Sequence, residues 1–362
     1  MKLLISSRDR ILSADEQSGA VEVCQRFAHP QANNIKCLGA NPDRSRILAG
    51  FYPGGVFHSR DRGEHWTDVS GDLPVLNIVS CAVDPSNPDR FYVGTNPAAM
   101  FVTEDAGKHW RELEGVRQLP NASIWSNPRG PAHVRGIAVS PADSRLIYAA
   151  VEVGDIIRSE DGGKSWRVLE GVCHDQHKVL LSPSDPNLVF LSTGADSPPY
   201  DGSHGYGLFR SRDAGDSWEN LNDRLAMPKS VYCEDAIASL PLERETVFIA
   251  IGDETPPHWR GPRNSDFEFF STPSAERRPK GADFTIHRSS DGGQTWDNLC
   301  GRGGLPANFF HAVWGLDAAG TPDSSAVCFG TTEGHVWTSA DGGASWRKLA
   351  HQLPPVHHLM IV

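Results

Sequence analysis

One eight-residue phrase recurs through this chain and limits what it can fold into more than any other feature. S-x-D-x-G-x-x-W occurs intact at Ser59–Trp66, Ser159–Trp166, Ser211–Trp218, Ser289–Trp296 and Ser339–Trp346, and Thr103–Trp110 differs only by Thr for Ser. A hydroxyl and a carboxylate at this spacing can bond turn N–H groups, Gly permits positive φ, and Trp packs the returning strand onto its sheet. Upstream of each copy lies an apolar strand ending near a proline, as in Ala82-Val83-Asp84-Pro85 and Ala138-Val139-Ser140-Pro141. A second strand follows (Phe91–Gly94, Leu146–Ala149), then the strand that enters the phrase. Four short strands in a unit of about 45 residues predict repeated antiparallel blades arranged radially.

The chain ends supply one more unit. Leu3–Ile5 and Arg10–Asp15 read as the second and third strands of a blade whose first strand is missing, and His358–Val362 reads as that strand. The expected fold is therefore all-β: a seven-bladed β-propeller with four-stranded antiparallel blades, residues 1–362 forming one domain. Its ring closes by pairing Leu359–Val362 with Leu3–Ser6 in a composite blade, which removes a sheet edge.

These phrases resemble the repeats of the Asp-box (BNR) propellers, a group that includes sialidases, xyloglucan-cleaving glycosidases, sortilin-type receptor domains and photosystem II assembly factors. The resemblance covers essentially the whole chain and implies the fold. It implies less about function, because the boxes of these families sit away from the active site and recur in enzymes and scaffolds alike. A sialidase of this group would carry an arginine triad and a Tyr nucleophile paired with Glu. Here the inner-strand entrances offer only Arg135, and no Tyr–Glu pair is evident beyond Tyr232 beside Glu234. Xyloglucan-type enzymes generally use two tandem propellers and are secreted, and assembly factors of this kind usually follow a targeting segment. The opening Met1-Lys2-Leu3-Leu4-Ile5-Ser6-Ser7-Arg8-Asp9 lacks a signal-peptide core, so the expectation is a cytoplasmic protein. Seven dispersed cysteines without a CxxC pair agree with reduced thiols. A formal charge of −11 argues against a nucleic-acid backbone or an anionic membrane as partner.

Connectivity locates a working face. In an up-and-down blade the start of the inner strand, the connection between second and third strands and the linker between blades share one end, and the boxes lie at the other. At the first end two connections are long: 194–207, with Asp196, His204 and Tyr206, and 252–283, with Glu254, His258 and Trp259. These are expected to form a lid over the channel. The linker 118–133, with Trp125 and Arg129, is also long. Aligning the inner strands places Lys36, Arg135, His177, Glu234 with Asp235, His311, and His357 with His358 at or near the mouth of the central channel.

Imidazoles and a carboxylate around an open axis suit a divalent metal such as Zn, Fe, Mn, Cu or Ni. The leading expectation is thus a metal-dependent enzyme (hydrolase, lyase or oxidoreductase) acting on a small polar or anionic molecule. His177, His311 and His357 or His358 would be ligands, Glu234 or Asp235 a fourth ligand or orienting group, and Arg135 and Lys36 the anion-binding cations. Two alternatives stand beside it. One is a metal-free, glycosidase-like hydrolase with a His base and a carboxylate partner; the other is a non-catalytic interaction or assembly propeller that binds a protein or glycan on the same face.

Overall fold

The computed structural model describes all residues except 18–19, 33, 128–129, 195–205, 227–231, 242–244, 253–282, 322–323 and 350–351. The chain forms seven four-stranded antiparallel blades. Blades one to six begin with the inner strands Asn34–Ala40, Ile78–Val83, His133–Val139, Gln176–Leu181, Tyr232–Pro241 and Val313–Thr321. Blade seven is composite: His358–Ile361 is its inner strand, and Lys2–Ser7, Arg10–Gln17 and Ala20–Ala28 complete it. The closing register is Leu3↔Ile361, Leu4↔Met360, Ile5↔Leu359 and Ser6↔His358, so the strand starts at His358 as expected while its pairing with Leu3–Ser6 runs one residue earlier than expected. Two groups clamp this seam. Asp317 of blade six accepts the Ile361 N–H at 2.8 Å and pairs with Arg44 of blade one, which also donates to Ile361 O at 2.7 Å.

Apolar side chains gather between blades rather than within them. One cluster joins Leu48, Val56 and Leu73 of blade one to Ile78, Phe91 and Phe101 of blade two, and the other clusters likewise join adjacent blades. At the inner edge this packing demands small residues. One second-strand position carries Gly50, Gly94, Ala150, Ser192, Ala250, Gly330 and Ser6 in the seven blades. A Cβ on Gly50 would fall 2.6 Å from Ile78 Cγ2, and one on Gly330 2.3 Å from Val356 Cγ1. An apolar residue at the start of the next inner strand, or just before it, occupies that space.

The boxes form the third-to-fourth-strand turns, and their bonds repeat closely. The hydroxyl of the first residue donates to the Asp Oδ1 at 2.7–2.9 Å and accepts the Gly N–H at 2.7–3.0 Å. The same Oδ1 accepts the N–H of His65, His109, Ser165, Ser217, Thr295 or Ser345 at 2.8–3.0 Å. Burial works against ionisation of Asp61 and Asp291, but these bonds outweigh it and hold both carboxyls at about 2. Ser165 does the same for Asp161.

Each box also serves as a clip between blades. Gly63 has φ +86°, and a Cβ there would lie 2.3 Å from Leu4 of the preceding blade. Gly107, at φ +89°, approaches Val69 O in the same way. In the opposite direction, Arg158, Arg210 and Arg288, each just before a box serine, donate to the box carbonyls of Ala214, Gly292 and Gly342 in the next blade. All seven cysteines are free thiols, five of them buried. No helix among the described residues is long and apolar enough to cross a membrane.

Candidate functional site

At the opposite end the inner strands share a different feature. In blades one, two, three, four and six a single residue interrupts the pairing with the second strand: Lys36, Val79, Arg135, His177 and Trp314. In blade five the interruption spans 234–236, between the Cys233 and Ile237 pairings. In blade seven His357 holds the equivalent place, its N–H donating to Ser6 O at 3.1 Å. A bulge frees a residue from the ladder and re-aims its side chain. The ring therefore presents a tier of seven non-ladder positions around its axis.

Lys36, Arg135, Lys178 and His358, from four blades, line one channel of about 430 Å³. The channel continues past Leu38, Ala82, Ile137 and Leu180 to Pro42, Pro85, Pro141 and Pro183 toward the box face. Lys36 is exposed, with its ammonium 5.8 Å from the centre of the Tyr52 ring. Lys178 donates to Ile237 O of blade five at 3.1 Å. Arg135 is held by Glu152, the last residue of its neighbouring strand Ile147–Glu152, with Nη1 to Oε2 at 2.6 Å. His133 Nε2 lies 3.1 Å from the same oxygen. Burial alone would raise the Glu152 carboxyl, but Arg135, His133 and His177 outweigh it and hold it well below the usual carboxylate range. Glu152 is thus an ionised counter-ion fixed beside the channel arginine, level with His133 at the start of the inner strand.

The structure separates the predicted histidines. His177 is buried and its Nδ1–H donates to Cys233 O at 2.5 Å, while Asp175 lies 3.6 Å from Nε2. His357 is buried beside Trp314, with Nδ1 2.7 Å from Asn34 Oδ1. Burial first, then the charges of His358, Lys36 and Arg8, pushes its imidazole well below the ordinary value. His311 does not hold the tier position expected for it; Trp314 does, and His311 lies outside the strand, 3.7 Å from Glu333. His358 belongs to the channel wall, one residue beyond the tier. Among the described residues no three His, Cys, Asp or Glu side chains are placed to hold one metal ion, so the expected histidine set is not brought together there.

Glu234 and Asp235 both fall in the blade-five interruption, and the placement of their side chains lies outside what is described. Asp196, His204, Glu254, His258, Trp259 and Arg129 also lie outside the described residues. Tyr206 stands at the end of the first long connection, packed beside the core between blades three and four, and its carbonyl accepts from Asn222 Nδ2 at 2.6 Å. Trp125 sits over the turn of blade three and donates to Asp155 Oδ2 at 2.7 Å. Sequence reading missed Glu152, His133 and Lys178. The signal for Lys178 was its place one residue beyond His177, but nothing in the sequence marks Glu152 as the partner of Arg135.

No family model matches the chain. A xyloglucanase from a Paenibacillus species is 30% identical over 97 residues, which make up 25% of this chain and 9% of that protein. Among solved structures, an ancestral GH74 enzyme superposes with a TM-score of 0.58 at 16% identity, covering 86% of this chain and 38% of its own. GH74 from Niastella koreensis gives 0.58 at 14%, covering 87% and 45%. YCF48 bound to a D1 peptide gives 0.51 at 17%, covering 87% and 82%. The chain thus spans less than half of the enzymes it resembles. At these identities the likeness is one of architecture: the chain is a seven-bladed β-propeller similar to GH74 hydrolases and to YCF48.

Proposed function

We propose that the protein is a non-catalytic binding propeller whose strand-entry face holds an anionic group of its ligand at the channel mouth. One observation carries this reading: Lys36, Arg135 and Lys178, from three blades, line the same channel. The carboxylate beside Arg135, Glu152, is already engaged by Arg135 and His133. Arg135 is the residue best held in place, and a guanidinium so oriented suits a carboxylate or phosphate oxygen. YCF48, a ring of similar architecture, is known bound to a D1 peptide, which accords with binding as the task of such a ring.

The test is calorimetric titration with citrate and with inorganic phosphate at low salt. The wild type should bind at least one of them, and Arg135→Gln should weaken binding about tenfold, the effect of one lost charge-assisted bond. Absence of binding by the wild type, or equal affinity in the variant, contradicts the reading.

A hydrolase is the second reading, favoured by the stretch similar to a xyloglucanase. Glycoside hydrolysis needs two facing carboxyls, one of them kept protonated. Glu152 is shifted in the opposite direction. Release of reducing ends from xyloglucan, lost on replacing both Glu234 and Asp235 by amides, would establish this reading over the first.

A further inference from the structure

We infer that the ligand of this face is an acidic, partly apolar polypeptide segment rather than a small anion; this deepens the anion-binding reading and rests on it. Among the described residues the large apolar side chains that stand exposed are Leu76 at 46%, Ile124 at 65% and Phe310 at 42%. Single exposed apolar residues are ordinary. These three, however, all belong to linkers that carry the chain from an outermost strand to the next inner strand, and so all stand on the strand-entry face.

Their neighbours hold them there. Leu76 O accepts the N–H groups of Gly54 and Gly55, in the turn between second and third strands of blade one, at 3.0 and 2.9 Å. Ile124 precedes Trp125, which is bonded to Asp155 in the corresponding turn of blade three. Phe310 follows Phe309, which bridges Phe284 at the corresponding connection of blade five. Apolar studs thus stand at three points of the face onto which the channel lined by Lys36, Arg135 and Lys178 opens.

A small anion would use the channel and leave the studs in water. A chain that places a carboxylate in the channel and Leu, Ile or Phe side chains on the studs satisfies both, because every second residue of an extended segment points to the same side. Apolar surface selects among larger partners. Nucleic acid and anionic membranes match the channel but offer the studs little. A second copy of this face would bring its channel cations against each other.

The test pans a random twelve-residue display library against the immobilised protein, then measures selected peptides by fluorescence anisotropy. Enriched peptides should combine Asp or Glu with Leu, Ile, Phe or Trp. Their dissociation constants should rise about fivefold in Ile124→Ser and in Phe310→Ser, as expected for losing one covered apolar side chain. Arg135→Gln should raise them about tenfold. Both studs are exposed, so these variants should melt with the wild type, which the same preparations check. Enrichment of basic or purely polar peptides, or affinities unchanged by both serine variants, overturns the inference. Citrate or phosphate titrated against the same samples separates the two failures: if small anions still bind through Arg135, only the polypeptide is wrong, and if they do not, the anion-binding reading falls with it.

Discussion

At one end of the blades six turns repeat the same bonds to within a few tenths of an ångström; at the other, seven equivalent positions carry Lys36, Val79, Arg135, His177, the 234–236 segment, Trp314 and His357. The box end repeats because each turn must do two jobs at once, closing its own hairpin and clipping onto the neighbouring blade. The mouth varies because the bulges release its residues from the ladder, so that His177 and His357 turn into bonds with the next blade while Lys36 stands exposed. Changes at the box end and at the seam should therefore register as stability, and changes at the exposed cation of the mouth as binding.

The largest expected effect tests the seam. Removing 358–362 deletes the inner strand of blade seven, the buried Leu359 and Met360, and the groups gripped by Arg44 and Asp317. The loss should exceed about 5 kcal/mol, comparable to the whole stability of an ordinary domain. Melting followed by circular dichroism should show no cooperative transition near that of the full chain. An unchanged transition would mean that the ring does not depend on its closure.

Next comes acid. Burial holds His287 at about 4, as it chiefly does His58, against an ordinary 6.5. Because the folded value is depressed, the stabilisation is complete above about pH 6.5 and is lost as the unfolded chain takes up protons between there and pH 4. For the 4%-exposed His287 that is about 3 kcal/mol. The box carboxyls follow the same sign lower down: Asp61, Asp161 and Asp291, at about 2, lose their contribution as pH falls from about 4 toward 2. Urea midpoints measured across pH should fall in two stages, and His287→Leu should flatten the upper one. A profile flat from pH 7 to 4 would contradict the neutral buried histidines.

How much of this was readable beforehand follows from the same contrast. The boxes were legible because the bonds from the first hydroxyl and the Asp carboxylate that close each hairpin are local, with their partners within six residues. Closure was legible because His358–Val362 supplied the apolar strand that the N-terminal unit lacked; the one-residue offset reflects a register that no turn residue marks. The small series Gly50, Gly94, Ala150, Ser192, Ala250, Gly330 and Ser6, and the arginines preceding three boxes, were visible but acquire meaning only once a neighbouring blade is in place. The bulges were invisible, since pairing is a backbone property, and this cost the reading of His311. Counting back from the apolar core of blade six selected a histidine three residues upstream of Trp314. Glu152 escaped because its partner Arg135 lies on another strand at no fixed sequence spacing.

The arginine struts give the middle of the scale. Arg210 is 3% exposed and donates to Gly292 O of the next blade at 2.8 Å and to Glu219 at 2.6 Å. Arg210→Ala should cost about 2–3 kcal/mol, from two lost bonds and a buried Gly292 carbonyl left with the longer bond from Arg212 at 3.4 Å. Chemical denaturation reads this directly, and anion binding at the far end of the blade should be unaffected. A loss below about 0.5 kcal/mol would show that the boxes are turns alone and not clips.

Lys36→Gln should have the smallest effect on stability and is the sharpest test of the contrast. Lys36 occupies the same tier as the buried His177 and His357, yet it is exposed, with its ammonium 5.8 Å from the centre of the Tyr52 ring. An exposed cation–π contact is worth about 0.5–1 kcal/mol, and glutamine keeps most of the aliphatic stem that covers the ring. The melting transition should therefore move by no more than that amount. Anion affinity, by contrast, should fall several-fold, and the fall should shrink as salt is raised, because screening weakens an exposed charge first. If Lys36→Gln destabilised the ring as much as Arg210→Ala, the mouth would be part of the scaffold and the division between the two faces would fail. If stability and affinity were both unchanged, the channel lysine would not contribute to binding, and the anion site would have to be built on Arg135 and Lys178 alone.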